Sequence, residues 1–102
     1  MSPKTLVRRW LAAYNARDAD ALTLLYRDDA TRQKSRTEGI QGKEAIHAGF
    51  ALDFAGGVPE CLPDNLFEEG EWAVLEWHDS EGLRGASFFH VIDGKVALQR
   101  NY

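Results

Sequence analysis

The sequence predicts an α+β fold in which three amphipathic helices precede an antiparallel meander of four strands. Three observations carry this. Apolar residues recur at helical spacing through the first half of the chain, and the period changes to two after Val58-Pro59. Asp93-Gly94, near the end, is a strong two-residue hairpin signal.

Ser2 caps a first helix with Pro3 at its opening position, where the missing N–H costs nothing. Leu6, Val7, Trp10, Leu11 and Tyr14 share one face of it, and Lys4, Arg8, Arg9 and Arg17 take the other. Asp18 or Asp20 caps a short second helix that buries Leu22, Leu25 and Tyr26 and breaks at Asp28-Asp29. A short strand over Thr31 to Arg36 follows, with Gly39 and Gly42 marking turns. The third helix, Lys43 to Ala55, places Ile46, Phe50 and Phe54 at i, i+4 and i+8, and Gly56-Gly57 ends it. Cys61 to Phe67 reads as a strand that Pro63 confines to an edge or a bulge. Trp72 to His78 and Leu83 to Ile92 are joined by the turn Asp79-Ser80-Glu81-Gly82, and Lys95 to Tyr102 closes the meander.

A chain of 102 residues, 44% apolar and 27% charged, is expected to form one domain over 1–102 with a core that needs no staple. A formal net charge of −4 argues against a nucleic-acid binder. Cys61 is the one cysteine, so no disulfide is expected. MSPKTLVRRW lacks an apolar segment of signal-peptide length, and no run has the length of a membrane span. The expectation is a cytoplasmic protein.

Pairing the last hairpin symmetrically about Asp93-Gly94 sets Ile92 opposite Lys95, His90 opposite Ala97, Phe88 opposite Gln99 and Ala86 opposite Asn101. Arg84, Ala86, Phe88, His90, Ala97, Gln99 and Asn101 then share one face. Phe89, Val91, Val96, Leu98, Arg100 and Tyr102 share the other. Both faces carry large apolar groups, and three helices cover only one. The second calls for a partner, most simply another copy pairing through Phe89, Val91, Val96, Leu98 and Tyr102.

Trp10-Leu-Ala-Ala-Tyr-Asn-Ala-Arg-Asp18, Leu25-Tyr-Arg-Asp-Asp-Ala30, Gly42-Lys-Glu-Ala-Ile46, Asp93-Gly-Lys-Val96 and Arg100-Asn-Tyr102 together resemble the nuclear transport factor 2-like superfamily. The nearest branch is the SnoaL-like one, related to ketosteroid isomerases, polyketide cyclases and limonene epoxide hydrolases. The resemblance implies a cone-shaped, strongly curved antiparallel sheet with the helices on its concave face. It also implies an apolar pocket between them and a dimer through the sheet. Trp10 stands where ketosteroid isomerases carry a first-helix tyrosine. Their base position, shortly after Asp28-Asp29-Ala30-Thr31, falls on Lys34, and their second acid falls near Ser87 or Phe88. The last-strand aspartate of related hydrolases and cyclases matches Asn101, which does not donate a proton at neutral pH. The family's usual acid–base groups are replaced.

On the expected pocket face His90 is the group that titrates near neutrality, making it the candidate acid–base residue against the plainer role of a core histidine. Gln99 and Asn101 offer paired amides to a ligand or to buried polar groups, and Arg84 offers a bidentate site for an anion or an exposed rim residue. Trp10, Tyr14, Tyr26, Phe50, Phe54, Trp77 and Phe88 form an aromatic set that serves as core or as cavity wall. Glu76 and His78 share a strand face that a symmetric turn directs outward and a one-residue bulge would direct inward. Neither they nor any other group suggest a metal or cofactor. Arg32, Lys34 and Arg36 alternate along one strand, where the commoner role of such charges is a solvated edge and a rarer one is phosphate binding. Cys61 reads as packing. Two functions follow: a module that binds a small apolar molecule without the isomerase machinery, or an isomerase, cyclase or hydrolase that moves protons through His90.

Overall fold

The computed structural model describes residues 1–34 and 38–102. Ser2 accepts a hydrogen bond from the Thr5 amide at 3.2 Å, and Pro3 opens α1 (Pro3–Asn15), which buries Leu6, Val7, Trp10 and Leu11. Asp18 is the cap of α2 (Ala19–Thr23) and accepts from the Ala21 amide. Tyr26 does not belong to that helix, as the periodicity suggested. It opens β1 (Tyr26–Lys34), a strand that starts earlier than expected and carries Asp28-Asp29 within it. The ladder is irregular between Tyr26 and Thr31, which lets both carboxylates project into solvent. Arg36, the expected end of this strand, lies outside the described residues.

β2 (Ile40–Gln41) is too short to leave a periodic signal. α3 (Lys43–Ala55) follows Gly42, whose φ of 93° suits glycine alone, and it buries Ile46 and Phe50. The remaining strands are β3 (Cys61–Glu69), β4 (Trp72–Asp79), β5 (Arg84–Ile92) and β6 (Lys95–Asn101). Their order in the sheet is β2-β1-β6-β5-β4-β3. The four-strand meander is present, but the sheet is six-stranded and mixed, because β1 runs parallel to β6. Pro63 sits on the edge strand beside a register irregularity, where its missing N–H costs no ladder bond. α1 crosses β3, β4 and β5, α3 packs on β1 and β2, and the helices together cover one face of the curved sheet. No described helix is long and apolar enough to cross a membrane.

The last hairpin turns at Asp93 and Gly94, both with positive φ, and sets Ile92 opposite Lys95 and Val91 opposite Val96. The next pair is His90 with Leu98, so Ala97 is an extra residue on β6. Beyond this bulge Phe89 faces Gln99, Phe88 faces Arg100 and Ser87 faces Asn101. Since opposed residues share a face, the expected face assignment of β5 is reversed. Phe89, Val91 and Val96 belong to the core under the helices, not to an outer surface, and are 0%, 5% and 0% exposed. Phe88 and His90 point to the outer face, and Leu98 joins them. Gln99 and Asn101 do face the helices, because the bulge shifts β6 and not their side.

His78 pairs with Arg84 and Trp77 with Gly85, so Glu76 and His78 face outward. Gly85 is where Trp77 crosses the sheet. A Cβ there would stand 2.3 Å from Trp77 Cζ2 and 2.4 Å from the Tyr102 carbonyl oxygen. Gly85→Ala is expected to lower stability by about 1–3 kcal/mol through overpacking. Calorimetry should show the thermal midpoint falling by roughly 5–20 °C. An unchanged midpoint would mean that Trp77 does not lie over Gly85.

Candidate functional site

The inner face of the sheet carries two rows of side chains set by register. Arg32, Gln99, Phe89 and Ala73 form one, and Lys34, Asn101, Ser87 and Leu75 form the next. Helix α1 lays Trp10 and Tyr14 over these rows, their rings stacked at 5.0 Å. Phe89 meets Trp10 edge-on from below at 5.4 Å, and Phe54 meets Tyr14 edge-on at 5.4 Å.

A chain of hydrogen bonds runs through the buried part of this layer. Trp10 Nε1 donates to the Tyr26 hydroxyl at 2.9 Å, and the Tyr26 hydroxyl donates to Gln99 Oε1 in a short bond. Gln99 Nε2 donates to Asn101 Oδ1 at 2.9 Å, and the same oxygen accepts from Ser87 Oγ at 2.7 Å. Trp77 Nε1 in turn donates to Ser87 Oγ at 3.2 Å. Tyr26 and Gln99 are fully buried, so each needs these partners. Burial pushes the Tyr26 hydroxyl up to about 12, with the Arg32 charge and the hydrogen bonds from Trp10 and Arg32 acting in the opposite sense. Burial raises the Tyr14 hydroxyl as well, against the opposing Arg32 charge, and both tyrosines stay neutral donors at physiological pH.

Beyond this chain the layer opens into a cleft of about 480 Å³. Trp10 and Tyr14 form its helical wall and Trp77, Ser87 and Asn101 its sheet wall. Val58, Pro59 and Cys61 close a third side, held there by Asn15. The Asn15 amide donates to the Cys61 carbonyl at 2.8 Å and accepts from its N–H at 2.9 Å. Burial, with Asp79 and Asp64 nearby, pushes the Cys61 thiol up to about 11, so it stays a protonated packing group. Asp79 also borders the cleft, its Oδ1 accepting the Glu81 and Leu83 amides of the β4–β5 turn.

Arg32 is the residue that changes most between sequence and structure. At Arg32 β1 lies between β2 and β6, opposite Ile40 on one side and Gln99 on the other, so Arg32 is not part of a solvated edge stripe. Arg32 is 7% exposed, its guanidinium lies 4.3 Å over the Phe50 ring, and it lines the cleft. Among the described residues no carboxylate pairs with it, and its buried Nε has no hydrogen-bond partner. A desolvated cation–π contact contributes about 2 kcal/mol. Desolvating a charge costs several, so the cation is left under-compensated. Asn101 Nδ2 is also buried without a partner in the same lining. Lys34, Asp53 and the exposed Arg84 complete the charged groups around the cleft.

Of the residues expected to form a site, Trp10, Tyr14, Trp77, Arg84 and Asn101 line the cleft. Tyr26, Phe50 and Gln99 are buried beneath it as core, and Phe54 is half-buried against Tyr14. Phe88 and His90 are on the opposite face. His90 stacks on Trp72 at 4.6 Å, and its Nε2 lies 3.0 Å from Glu71 Oε1. The bulge at Ala97, which reverses the faces of β5, is the reason. Lys34 and Ser87 also line the cleft, at the positions where the family resemblance set the relatives' base and second acid, while Arg32, Asp53, Asp79 and Cys61 are cleft residues that sequence reasoning did not place there. The alternation of Arg32 and Lys34 was a visible signal, but its meaning depended on which strand lay beside them.

Residues 7–99 match the family model of the SnoaL-like domain. The comparison with curated proteins returns no match. Among solved structures, an uncharacterised cystatin-fold protein from Novosphingobium aromaticivorans superposes with a TM-score of 0.89 at 21% identity, covering 100% of this chain and 98% of that one. A SnoaL-like protein of unknown function from Burkholderia thailandensis gives 0.86 at 17% identity, covering 98% and 92%. A hypothetical protein with a ketosteroid isomerase-like fold from Catenulispora acidiphila, in complex with trimethylamine, gives 0.81 at 18% identity, covering 100% and 86%. At these identities the structures establish the shared fold.

Tyr26→Phe removes the hydroxyl that joins Trp10 to Gln99 and leaves both buried groups unpaired. The expected loss is about 2 kcal/mol. Thermal unfolding should report it as a midpoint lower by roughly 10 °C. A variant as stable as the wild type would mean that the chain of hydrogen bonds is not under tension from burial.

Proposed function

The chain belongs to the SnoaL-like domain family, and from that premise we propose that it binds a small, largely apolar organic molecule in the cleft between α1 and the inner face of the sheet. The observation that carries this is the cleft itself. Stacked and edge-on aromatic rings wall it, and two buried polar groups without protein partners, on Arg32 and Asn101, stand in its lining. An apolar cavity with a few convergent polar groups is the usual form of a small-molecule site. The replacement of the family's acid–base positions by Trp10, Lys34 and Asn101 supports binding over isomerase chemistry. Proton transfer through His90 gains no support from the geometry, since its ring lies on Trp72 across the sheet from the cleft.

The three tryptophans are built-in reporters, because Trp10 and Trp77 line the cleft and Trp72 lies outside it. Titration of ¹⁵N-labelled protein with neutral naphthalene-2-carboxamide should move the indole N–H signals of Trp10 and Trp77 and leave that of Trp72 in place. Movement of Trp72 alone, or of none with either this amide or naphthalene-2-carboxylate, would remove the cleft as a ligand site.

We also infer that two copies pair through the outer face of the sheet. There Phe67, Val74 and Phe88 form one row, and Trp72, His90 and Leu98 form the next. Phe67 is 54% and Trp72 36% exposed, a contiguous apolar surface of the kind that marks an interface. Light scattering should give twice the chain mass at micromolar concentration, and Phe88→Glu should reduce it to one. A wild-type monomer under those conditions would end this reading.

A further inference from the structure

The geometry points to an organic carboxylate as the ligand: an aromatic or alicyclic monoanion whose body lies among Trp10, Tyr14 and Trp77 and whose carboxylate meets Arg32 and Asn101. The inference depends on the cleft being the ligand site and adds the charge and head group of what it takes.

Arg32 and Asn101 stand on adjoining strands of one face. Arg32 is opposite Gln99, and Asn101 follows two residues on. Arg32 is more than nine-tenths buried, yet among the described residues it has no carboxylate partner, and its Nε makes no hydrogen bond. One flat side of its guanidinium is taken by Phe50 and one edge donor by the Tyr26 hydroxyl, which leaves Nε and the remaining edge donors. Asn101 has its oxygen doubly engaged by Gln99 and Ser87, so its amide N–H₂ is the group left to give. At this point of the lining Arg32 and Asn101 both present donors, which is the complement of a carboxylate with two acceptor oxygens.

A neutral carbonyl would satisfy a donor and leave the buried cation without a counter-charge. A phosphate dianion fits less well, because Asp53 and Asp79 share the lining with Arg32, Lys34 and Arg84 and leave one positive charge in surplus. That local surplus stands within a chain of net charge −4, so it is a feature of this face and not of the protein's overall balance. The exposed cations Lys34 and Arg84 at the mouth draw an anion inward, and the aromatic walls select one with an apolar body.

Three isosteric probes separate the possibilities: naphthalene-2-carboxylate, neutral naphthalene-2-carboxamide and cationic 2-(aminomethyl)naphthalene. Calorimetry on the wild type, with the indole signals of Trp10 and Trp77 confirming the place of binding, needs no variant. The carboxylate is expected to bind at least tenfold tighter than the carboxamide, with the amine weakest. In Arg32→Met, checked for folding by its indole spectrum, the preference should shrink to within about twofold, and Arg32→Lys should retain part of it. Equal binding of the three probes in the cleft, or preference for the amine, would overturn the carboxylate and leave the binding cleft standing. Binding of none would overturn both.

Discussion

Gln99 lies fully buried in the middle of the sheet, with its oxygen taken by Tyr26 and its nitrogen giving to Asn101. It can do so because Ala97 is an unpaired extra residue on β6. Without that bulge, either Val96 or Gln99 would face away from the helices, since side chains alternate strictly along a regular strand. The bulge lets an apolar residue near the hairpin and a polar pair near the chain end share the inner face. From that placement follow the hydrogen-bond chain, the position of Asn101 in the cleft and the outward turn of His90. One backbone irregularity thus decides which titratable groups can meet a ligand.

The inner layer divides into a dry half and a half that opens outward. In the dry half Leu6, Val7, Leu22, Ile46, Phe50 and Phe89 pack around Tyr26, whose hydroxyl is satisfied by Trp10 and Gln99. Toward the strand ends the same rows present Arg32, Lys34, Ser87 and Asn101, and the helices no longer cover them completely. Aromatic rings from α1 span both halves. The buried guanidinium sits where the two meet, over the Phe50 ring and at the lining of the cleft.

Much of the fold was legible in the sequence because local chemistry dictated it. Ser2-Pro3, Asp18 and Gly42 mark helix starts by capping and backbone preference, and Asp93-Gly94 marks a turn that requires positive φ at both positions. Tyr14, Trp77 and Asn101 were legible as lining residues from their faces. Arg32 was not. An arginine alternating with other polar residues looks the same on an edge strand as on a central one, and what distinguishes them is a neighbour far along the chain. β1 gains that neighbour by lying parallel to β6, with Tyr26 opposite Val96 and Arg32 opposite Gln99, strands far apart along the chain.

By itself the sequence determined the helices, the hairpin, the α+β class and the supply of aromatic groups, since each depends on capping, periodicity or turn conformation within a few residues. Tertiary structure alone decided the parity of β5, the central place of β1 and the burial of Arg32. Both faces of β5 are apolar, so hydrophobic patterning favours neither orientation, and a single bulge settles the choice. Whether a cation is solvated or buried depends on what packs over it, and α3 brings Phe50 over Arg32 only once the sheet is assembled.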